Sequence, residues 1–373
     1  MLAMPGAGAD HRDRPLTVLH ATEALGGGIT SSILQLVASA HDMEHHLVYV
    51  ARQEHETGAD LRHHFASLSP ATGLLNLSAR LHQLSAELRP DVVHLHSSWA
   101  GLAGRLRPPH GPALAYSPHS YFFEQVNYPR LARIAAWAVE RILASRGDLT
   151  ICVSPYEEQL ARGLGSASAY MPNTIAAPRD GEETLQRTRR VRDDEKLTVL
   201  TIGRIAPQKD PSFLARVVQL VKQEKPHMRW VWVGDGDGRY RKPLETEGVE
   251  ITGWIPREQA LDALRQADLY LHTAAWEGNP MSLLEAAAMG VPVLARSIPA
   301  LTSLGYPDGL RTPDEVAAAL LKRLAGRAPE HAPAVPTAAE QRFALHEAYT
   351  RALQEHSRRP QRTIRSPWRG TRQ

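Results

Sequence analysis

Residues 197–210, with the sequence LTVLTIGRIAPQKD, begin with an apolar run that ends at a glycine and leads into a loop with two cations. A short apolar run bounded by glycine is typical of a buried β-strand. The next stretch, PSFLARVVQLVKQ at 211–223, has apolar residues at the spacing of an amphipathic helix. A strand that passes through a loop into a helix is the repeating unit of a parallel α/β sheet.

This alternation extends to both sides of residues 197–223. Downstream, the runs RWVWVG, VEITG, ADLYLH and VPVLA alternate with helix-length spacers. Upstream, LTVLH, HLVYV, DVVHLH, ALAYS and DLTICVS do the same from Leu16 onward, and the pattern stops in the polar stretch from Ala176 to Glu195. Two such series predict an α/β protein of two doubly wound, Rossmann-like domains.

The predicted organisation has six parts. We expect a disordered N-terminus at 1–15, a first domain at 16–180, a linker at 181–195, a second domain at 196–337, a C-terminal helix at 338–356 and a disordered tail at 357–373. The tail has six arginines, two prolines and no acidic residue, a composition typical of disorder.

The composition is that of a folded globular protein, with 43% hydrophobic and 22% charged residues among 373. The 43 basic residues barely exceed the 40 acidic ones, so the charge balance indicates no nucleic-acid partner. The single cysteine, Cys152, excludes an internal disulfide and a cysteine-rich zinc site and favours a reducing compartment. Without a signal peptide or an apolar run of membrane-spanning length, we expect a cytoplasmic protein, with any membrane contact peripheral at the inner face.

Three consecutive glycines, Gly26, Gly27 and Gly28, lie between the first predicted strand and an amphipathic helix. Glycines here allow backbone N–H groups to approach a ligand, and a helix N-terminus favours an anion. Ser31 stands where the third glycine of a dinucleotide-binding G-x-G-x-x-G motif would be, so that motif is not supported. A tight turn without a ligand is the alternative.

Arg204 and Lys209 follow the carboxyl end of the strand at 197–203, the edge at which open parallel sheets bind ligands. Two cations there suit a diphosphate and could stabilise the negative charge that grows on a leaving phosphate. A solvated basic loop is the alternative interpretation.

The stretch EGNPMSLLEAAAMGVPVLA places Glu277 and Glu285 on either side of a helix start predicted at Asn279 and Pro280. The first turn would present unpaired amides at the positive end of the helix dipole, those of Met281, Ser282 and Leu283. An anion is expected there, with carboxylates on both sides for the hydroxyl groups of a sugar and of a ribose. Purely structural glutamates are the alternative.

Taken together, these motifs resemble the retaining glycosyltransferases of the GT-B fold, family 4 in particular and especially its bacterial polysaccharide and capsule enzymes. The matching stretches occur in the family's order across roughly residues 16–325: GGGITSSILQLV, DVVHLHSSWAGLAGRL, VSPYEEQL, MPNTI, GRIAPQK, VWVGDGDG and the segment with the two glutamates. The resemblance implies an acceptor-binding first domain and a donor-binding second domain that face each other across a cleft. It also implies that the C-terminal helix packs back toward the first domain.

The resemblance implies transfer of a sugar from a nucleotide-diphosphate sugar to a glycan, lipid-linked or small-molecule acceptor. Arg204 and Lys209 would bind the diphosphate and support its departure. Glu277 would hold hydroxyls of the transferred sugar and Glu285 the ribose, while His119, in SPHSYFFE, would face the sugar across the cleft. The implied donor-binding set is Gly26, Gly27, Gly28, Gly203, Gly234, Gly278, Asn279, Pro280, Met281, Ser282, Leu283 and Glu285.

The implied mechanism retains anomeric configuration by front-face displacement, in which the leaving phosphate accepts the proton of the acceptor. The implied catalytic set is His119, Arg204, Lys209 and Glu277, with no metal or other cofactor. Two positions depart from the family pattern, since Thr174 and Asp210 stand where glycine is usual. We expect these two to affect turn geometry rather than chemistry.

Some patterns suggest metal sites but have a simpler explanation. The sequence Asp235-Gly236-Asp237 follows a strand inside a glycine-rich loop, so a structural role is favoured over metal binding. Histidines also occur close together, at His94 and His96 on one predicted strand and in the pairs 45–46 and 63–64. No cysteine or carboxylate lies nearby at ligand spacing, so packing or solvation is favoured over zinc. His96, at the end of its strand, is a candidate acceptor contact.

The predicted helix at 128–146 has two distinct sides. One side has Arg130, Arg133, Trp137 and Arg141. The other has Leu131, Ile134, Ala135, Ala138 and Ile142, which we expect to lie in the core. The cationic side, with Arg130 and Trp137 as acceptor-side candidates, could contact anionic lipid or an isoprenoid diphosphate. An ordinary solvated face is the alternative.

Three other functions fit the two-domain architecture. These are a sugar-nucleotide epimerase, a phosphorylase and a non-catalytic nucleotide-sugar-binding subunit. The presence of all the expected polar residues argues against the last.

Overall fold

The computed structural model of the chain describes residues 14–51, 61–175, 197–325 and 333–359. The first half contains strands β1 (Thr17–Leu25), β2 (Glu44–Ala51), β3 (Ser67–Ala71), β4 (Val92–His96), β5 (Ala113–Ser117), β6 (Leu149–Cys152) and β7 (Ser168–Tyr170). Its helices are α1 (Gly27–Ser39), α2 (Leu74–Leu88), α3 (Ser98–Leu106), α4 (Arg130–Leu143) and α5 (Pro155–Gly163). The strands are parallel and form one sheet in the order β3-β2-β1-β4-β5-β6-β7.

The second half forms a five-stranded parallel sheet. Its strands are β8 (Thr198–Ile202), β9 (Arg229–Val233), β10 (Glu250–Ile251), β11 (Leu269–His272) and β12 (Val293–Ala295), in the order β10-β9-β8-β11-β12. Its helices are α6 (Pro211–Lys222), α7 (Gly238–Thr246), α8 (Arg257–Gln266), α9 (Met281–Ala288), α10 (Pro299–Ser303) and α11 (Pro313–Leu324). The prediction of two doubly wound parallel α/β sheets is confirmed.

The strand orders fix where a ligand can bind. In the first sheet the order reverses between β1 and β4, and in the second between β8 and β11. Loops diverge at such a reversal and leave a crevice at the carboxyl ends of the strands. Four of the predicted site elements follow strand ends close to these two reversals. They are the glycines at 26–28, His119, the loop at 203–210 and Glu277.

The last helix, α12 (Ala338–Arg358), returns to the first sheet, as expected from the resemblance. A capping box between Thr337 and Glu340 starts the helix. Leu345, Ala348 and Tyr349 are fully buried in the core under β1, β4 and β5. The C-terminal helix therefore completes the hydrophobic core of the first domain, although it follows the second domain in sequence.

Helix α4 reverses the expected arrangement of its faces. Leu131, Ile134 and Ile142, predicted to lie in the core, are 80%, 52% and 64% exposed. The inward face is polar: Glu140 is buried against Arg105 at 2.8 Å, and Arg133 Nε donates to the carbonyl of Phe123 at 2.7 Å. The prediction of a core face was wrong because this helix is anchored to the domain by buried polar contacts, which leaves its apolar side outward.

The two predicted disordered ends and the linker fall mostly or wholly outside the described residues. Among the residues that the structure describes, no helix combines the length and the apolar character needed to cross a bilayer.

Candidate functional site

The loop that leads into α9 touches the first domain directly. Asn173 donates from Nδ2 to the carbonyl of Asn279 at 3.0 Å, and Asn279 donates from Nδ2 to the carbonyl of Val153 at 3.2 Å. A Cβ atom at Gly278 would lie 3.2 Å from the carbonyl carbon of His119, closer than an ordinary van der Waals contact, so glycine favours this close approach. The contact brings the segment after Glu277 against the turn that contains His119.

Lys209 and Glu277 form the centre of the charged side of the cleft. Their Nζ and Oε1 atoms are 2.6 Å apart, with side chains 16% and 9% exposed. Gln208 donates from Nε2 to the other oxygen of Glu277 at 3.2 Å. His272 Nε2 lies 3.7 Å from Glu277, but burial, with a contribution from Lys209, holds the pKa of His272 well below its ordinary value. The structure thus pairs two residues of the predicted catalytic set.

Asp210 explains one departure from the family pattern. Its φ angle is +48°, in the left-handed region that favours glycine but that aspartate tolerates. Its carboxylate caps α6 by accepting the amide hydrogen of Phe213 at 3.1 Å and pairs with Arg296 at 2.7 Å. Asp210 therefore fixes the end of the loop that contains Lys209 and the exposed Arg204.

Thr174 occupies the second usual glycine position. Its hydroxyl donates to the carbonyl of Pro336 at 2.5 Å, just before α12. This bond ties the end of the first domain to the start of the C-terminal helix, which agrees with the expected structural role.

The predicted donor-binding glycines differ in their surroundings. A Cβ at Gly234 would lie 2.3 Å from the carbonyl oxygen of Gly203, so these two strand ends can approach only with glycine at 234. Gly27, by contrast, has a φ of +64° and no atom within 4 Å of the space a Cβ would fill. Gly27 and Gly28 leave open space for a ligand, whereas Gly234 is required for packing and the Gly26 amide already donates to the hydroxyl of Thr30 at 2.6 Å.

The start of α9 presents fewer unpaired amides than the sequence suggested. The amide of Leu283 donates to the carbonyl of Pro280 at 3.1 Å, so the expectation that it is unpaired was wrong. The cause is that Pro280 occupies the N-cap position and its carbonyl closes the first turn. The hydroxyl of Ser282 accepts a hydrogen bond from Tyr270 at 2.7 Å. The amides of Met281 and Ser282 remain as candidates for a phosphate.

Glu285 has a partner that the sequence did not reveal. Arg257, the first residue of α8, lies 2.6 Å from its Oε1 atom and 3.5 Å from the hydroxyl of Ser31 in the first domain. Burial raises the pKa of Glu285, and the Arg257 guanidinium opposes that rise. A cation shared between the glutamate and the first domain thus stands beside the predicted ribose position.

The turn that contains His119 is strained and is held by Glu157. His119 and Ser120 have φ angles of +51° and +84°, which cost energy for residues with a side chain. Glu157, buried in α5, accepts hydrogen bonds from the amides of Ser120 at 2.6 Å and Val153 at 2.8 Å. Burial raises the pKa of Glu157 to about 7, although both hydrogen bonds oppose the rise. The motif VSPYEEQL contained Glu157, but its partner at Ser120 is distant in sequence.

Four histidines form a continuous hydrogen-bonded series that ends in the cleft, here called the histidine row: His45, His20, His96 and His119. The ring nitrogens are 3.0 Å apart from His45 to His20, 3.0 Å from His20 to His96 and 3.1 Å from His96 to His119. His96 has no exposed surface, so the prediction that it touches the acceptor was wrong. Both of its nitrogens are bonded to neighbouring histidines, and it supports His119 instead.

The possible metal ligands have partners within the protein. In the described part of the chain, nitrogens of His20, His94 and His96 lie within 4.8 Å of one another. His94, however, bonds Tyr349 and Ser117 at 2.9 Å each, and the other two belong to the histidine row. Of the Asp-x-Asp pair, Asp235 pairs with Arg241 at 2.8 Å and Asp237 caps α7. Both groups serve structural contacts here.

The remaining acceptor-side candidates lie on α4. Trp137 is 46% exposed and Arg130 is exposed at the first turn of the helix. The helix packs against α3 and the short turn Phe122–Glu124, which follows the His119 turn in sequence. These residues therefore belong to the outer surface of the first domain.

Two family models match the chain in the order of its two sheets. Residues 27–174 match the model described as a glycosyl transferase 4-like domain, and residues 196–325 match that of the glycosyl transferases group 1. An uncharacterized 41.2 kDa protein in the cps region of Klebsiella pneumoniae is 26% identical over 311 residues, 79% of this chain and 84% of that protein.

Two further similarities concern proteins of named function or ligand. The Escherichia coli UDP-Gal:alpha-D-GlcNAc-diphosphoundecaprenol alpha-1,3-galactosyltransferase is 24% identical over 237 residues, 58% of this chain and 60% of its own length. The structure of Anabaena HepE in complex with UDP superimposes with a TM-score of 0.64 at 16% identity, covering 92% of this chain and 98% of HepE. The fold is therefore GT-B, and the chain belongs to the group 1, family 4-like glycosyltransferases, the retaining hexosyltransferases that use nucleotide-diphosphate sugars.

Proposed function

We propose that this chain transfers a hexosyl unit from a UDP-sugar to a lipid-linked diphosphate acceptor during assembly of a bacterial surface polysaccharide. The observation that supports it best is the Lys209–Glu277 ion pair, in which Glu277 precedes the segment that contacts the His119 turn. Uridine is favoured because the E. coli relative is named for UDP-galactose and the HepE structure contains UDP.

In the proposed complex the diphosphate lies at the carboxyl ends of β8 and β11. Arg204 and Lys209 neutralise the diphosphate, and the amides at the start of α9 donate to its oxygens. Lys209 then shares its charge between Glu277 and phosphate, which leaves an oxygen of Glu277 for the sugar hydroxyls. Glu285 and Arg257 lie where the ribose hydroxyls are expected, and His119 faces the sugar from the first domain.

The proposed reaction occurs on one face of the sugar. A bond forms between the acceptor oxygen and C1 while the bond from C1 to the β-phosphate oxygen breaks, with its electron pair leaving on the phosphate. The proton of the acceptor hydroxyl passes to the same phosphate. Arg204 and Lys209 stabilise the negative charge that develops on this phosphate. Such electrostatic stabilisation of the transition state is usually the largest single contribution to the rate. Closure of the two domains excludes water that would hydrolyse the donor.

The apolar face of α4 favours a lipid-linked acceptor over a soluble one. Leu131, Ile134 and Ile142 lie outward, and Arg130 and Arg141 flank them, the arrangement of a helix that rests on an anionic membrane surface. The neighbouring rings of Trp99, Phe122 and Tyr128 are in contact, at 5.8 and 4.7 Å between centroids, and extend the exposed aromatic surface. A membrane-bound acceptor would thus be presented beside the short turn that follows His119 in sequence.

The donor assignment is tested by thermal shift and turnover. We expect UDP and one UDP-hexose to raise the melting temperature more than the guanosine or adenosine equivalents do, since ligand that binds the folded state stabilises it. Transfer to an undecaprenyl-diphosphate sugar should persist with EDTA present. Incubation with donor alone, or with inorganic phosphate, should yield neither an epimer nor a sugar 1-phosphate. Either product would overturn the transferase assignment in favour of an epimerase or a phosphorylase.

The membrane contact is tested by co-sedimentation with vesicles of phosphatidylglycerol and phosphatidylcholine. We expect the variant Leu131→Gln/Ile134→Gln to lose most of its binding. The matched control is Leu75→Gln, which removes a 90% exposed leucine from α2 in the same domain. Equal binding by the three proteins would contradict a role for α4.

A further inference from the structure

The histidine row has a defined direction because one end meets a group that can only accept. His45 Nε2 lies 3.0 Å from the backbone carbonyl of Ala40, so Nε2 must hold the proton. A neutral imidazole has one protonated nitrogen, so His45 Nδ1 accepts from His20 Nε2. By the same step His20 Nδ1 accepts from His96 Nε2, and His96 Nδ1 accepts from His119 Nε2.

The rings of the row are neutral because the surrounding protein offers little to balance a positive charge. Burial is the main cause that lowers the pKa of His20, His45 and His96, and it lowers that of His119 to about 4. The groups that face the row from its neighbours are His94 on β4, His46 on β2, Tyr349 on α12 and Asp42 before β2. Among these four groups Asp42 is the one with a negative charge, and it is already shared with Arg342 and His346 on α12.

His94 does not change the direction of the hydrogen bonds in the histidine row, because Ser117 and Tyr349 determine which of its ring nitrogens is protonated. Ser117 donates its hydroxyl hydrogen to the carbonyl of Ile151 at 2.7 Å, so Ser117 accepts from His94 Nε2. His94 Nδ1 then accepts from the hydroxyl of Tyr349. The buried imidazole beside the row is thus satisfied without taking a proton from it.

We propose that His45, His20 and His96 are positioning residues that hold His119 as a neutral ring with its proton on Nε2 and its Nδ1 as a hydrogen-bond acceptor in the cleft. In that form His119 accepts a hydrogen bond from a hydroxyl of the donor sugar and offers no hydrogen to the diphosphate. This role rests on the proposed function. The fixed protonation would favour a sugar whose hydroxyl reaches the ring over one that lacks it, because the unpaired acceptor would then be left without a partner.

The state of the ring is measured first, without any substrate. Long-range ¹H–¹⁵N correlation spectra of the full chain at pH 7.5 separate protonated from unprotonated ring nitrogens, with His119 assigned by comparison with His119→Asn. We expect Nδ1 of His119 to be unprotonated. A protonated Nδ1 in the wild-type chain would overturn the proposal whether or not the chain is active.

Variants at the far end of the row then test its effect. His45→Phe removes the acceptor for His20, so the row can reverse, and we expect partial protonation of His119 Nδ1 and a loss of about tenfold in kcat/KM for the UDP-hexose. His45→Asn places an amide oxygen near the position of Nδ1 and should restore both the spectrum and the rate. The matched control is His46→Phe, a neighbouring buried histidine outside the row that bonds Ser67.

The outcomes separate the two proposals. Equal rates and spectra for His45→Phe and His45→Asn would contradict the positioning role, as would an equal effect of His46→Phe on His119. If the chain transfers no sugar from any UDP-hexose, the proposed donor fails, but the spectra still decide the direction of the row. Should His45→Phe fail to fold, the wild-type and His45→Asn spectra retain the test.

Discussion

The two sides of the cleft use opposite chemistry at equivalent positions of their sheets. The second domain places ion pairs at its strand ends, Lys209 with Glu277 and Arg257 with Glu285. The first domain places imidazoles in a hydrogen-bonded row, with His20 inside β1, His96 at the end of β4 and His119 in the turn after β5. A charged side suits a diphosphate, and a neutral side with fixed protons suits sugar hydroxyls. Under the proposed function, the second domain would bind the diphosphate and the first domain the sugar.

The largest effect should come from removing the cation on the charged side. Lys209→Met leaves Glu277 without its ion-pair partner and the departing phosphate without a counter-charge, so we expect kcat to fall by about 10²–10³-fold. Steady-state transfer assays measure this. Lys222→Met removes a lysine at the end of α6 that donates to the carbonyl of Glu247, and this variant should keep normal turnover. Full activity of Lys209→Met would contradict the division between the two sides.

The neutral side should make the fold sensitive to acid. Folded-state pKa values below 6.5, such as about 3 for His94 and about 4 for His119, give stability that is present above pH 6.5 and lost as the pH falls toward 4. The contribution of His119 alone is on the order of 3 kcal/mol. Glu157 acts in the opposite sense, since its pKa of about 7 favours folding at low pH, but it is one group against several.

Chemical denaturation between pH 7.5 and 4.5 checks this expectation. The free energy of unfolding should decrease over that range, and His94→Phe should flatten the curve. A free energy that stays constant or rises as the pH falls would show that the imidazoles are not held neutral.

A smaller effect is expected where Glu157 holds the His119 turn. Glu157→Gln can accept only one of the two backbone hydrogen bonds, so at pH 8 we expect a loss of about 1–3 kcal/mol in stability together with slower transfer. The neighbouring Glu158, which pairs with Arg162 at 2.7 Å, provides the matched control. Glu158→Gln should change stability by less than about 0.5 kcal/mol. Denaturation and transfer assays of both variants measure the difference, and identical behaviour would remove Glu157 from the site.

The smallest effect on stability is expected on α4. Because Leu131 is 80% exposed, Leu131→Gln should change the free energy of unfolding by no more than about 0.5 kcal/mol. Truncation of a core leucine lowers the free energy of unfolding by about 2–5 kcal/mol. A decrease of that size for Leu131→Gln would show that this face of α4 is buried. Urea denaturation distinguishes the two cases.

The sequence predicted the elements whose structure is determined by neighbouring residues. Apolar runs marked most strands. The loop at 203–210 and the segment at 277–285, which runs into α9, contained residues that the structure brings to the cleft. Strand β3, with the sequence SLSPA, was missed because polar residues and Pro70 do not signal a strand, yet proline is tolerated at this sheet edge. The short β7 was missed for the same lack of an apolar run.

The remaining features depend on contacts between distant residues. Helix α4 looked like an ordinary amphipathic helix, and its inward face is defined by distant partners such as Arg105 and Tyr116, which bond Glu140. His20 gave no signal on its own strand, since its partners are 25 and 76 residues away. Arg257 and Glu157 likewise act on groups that only the fold brings near.

The most direct test of the account is calorimetric titration of UDP into the wild-type chain and into Arg204→Ala/Lys209→Ala. We predict saturable binding with one site per wild-type chain and a loss of affinity of about 100-fold or more in the variant, because two charge-assisted contacts to the diphosphate are removed. Equal affinity in both proteins would place the diphosphate elsewhere and contradict the assignment of the cleft.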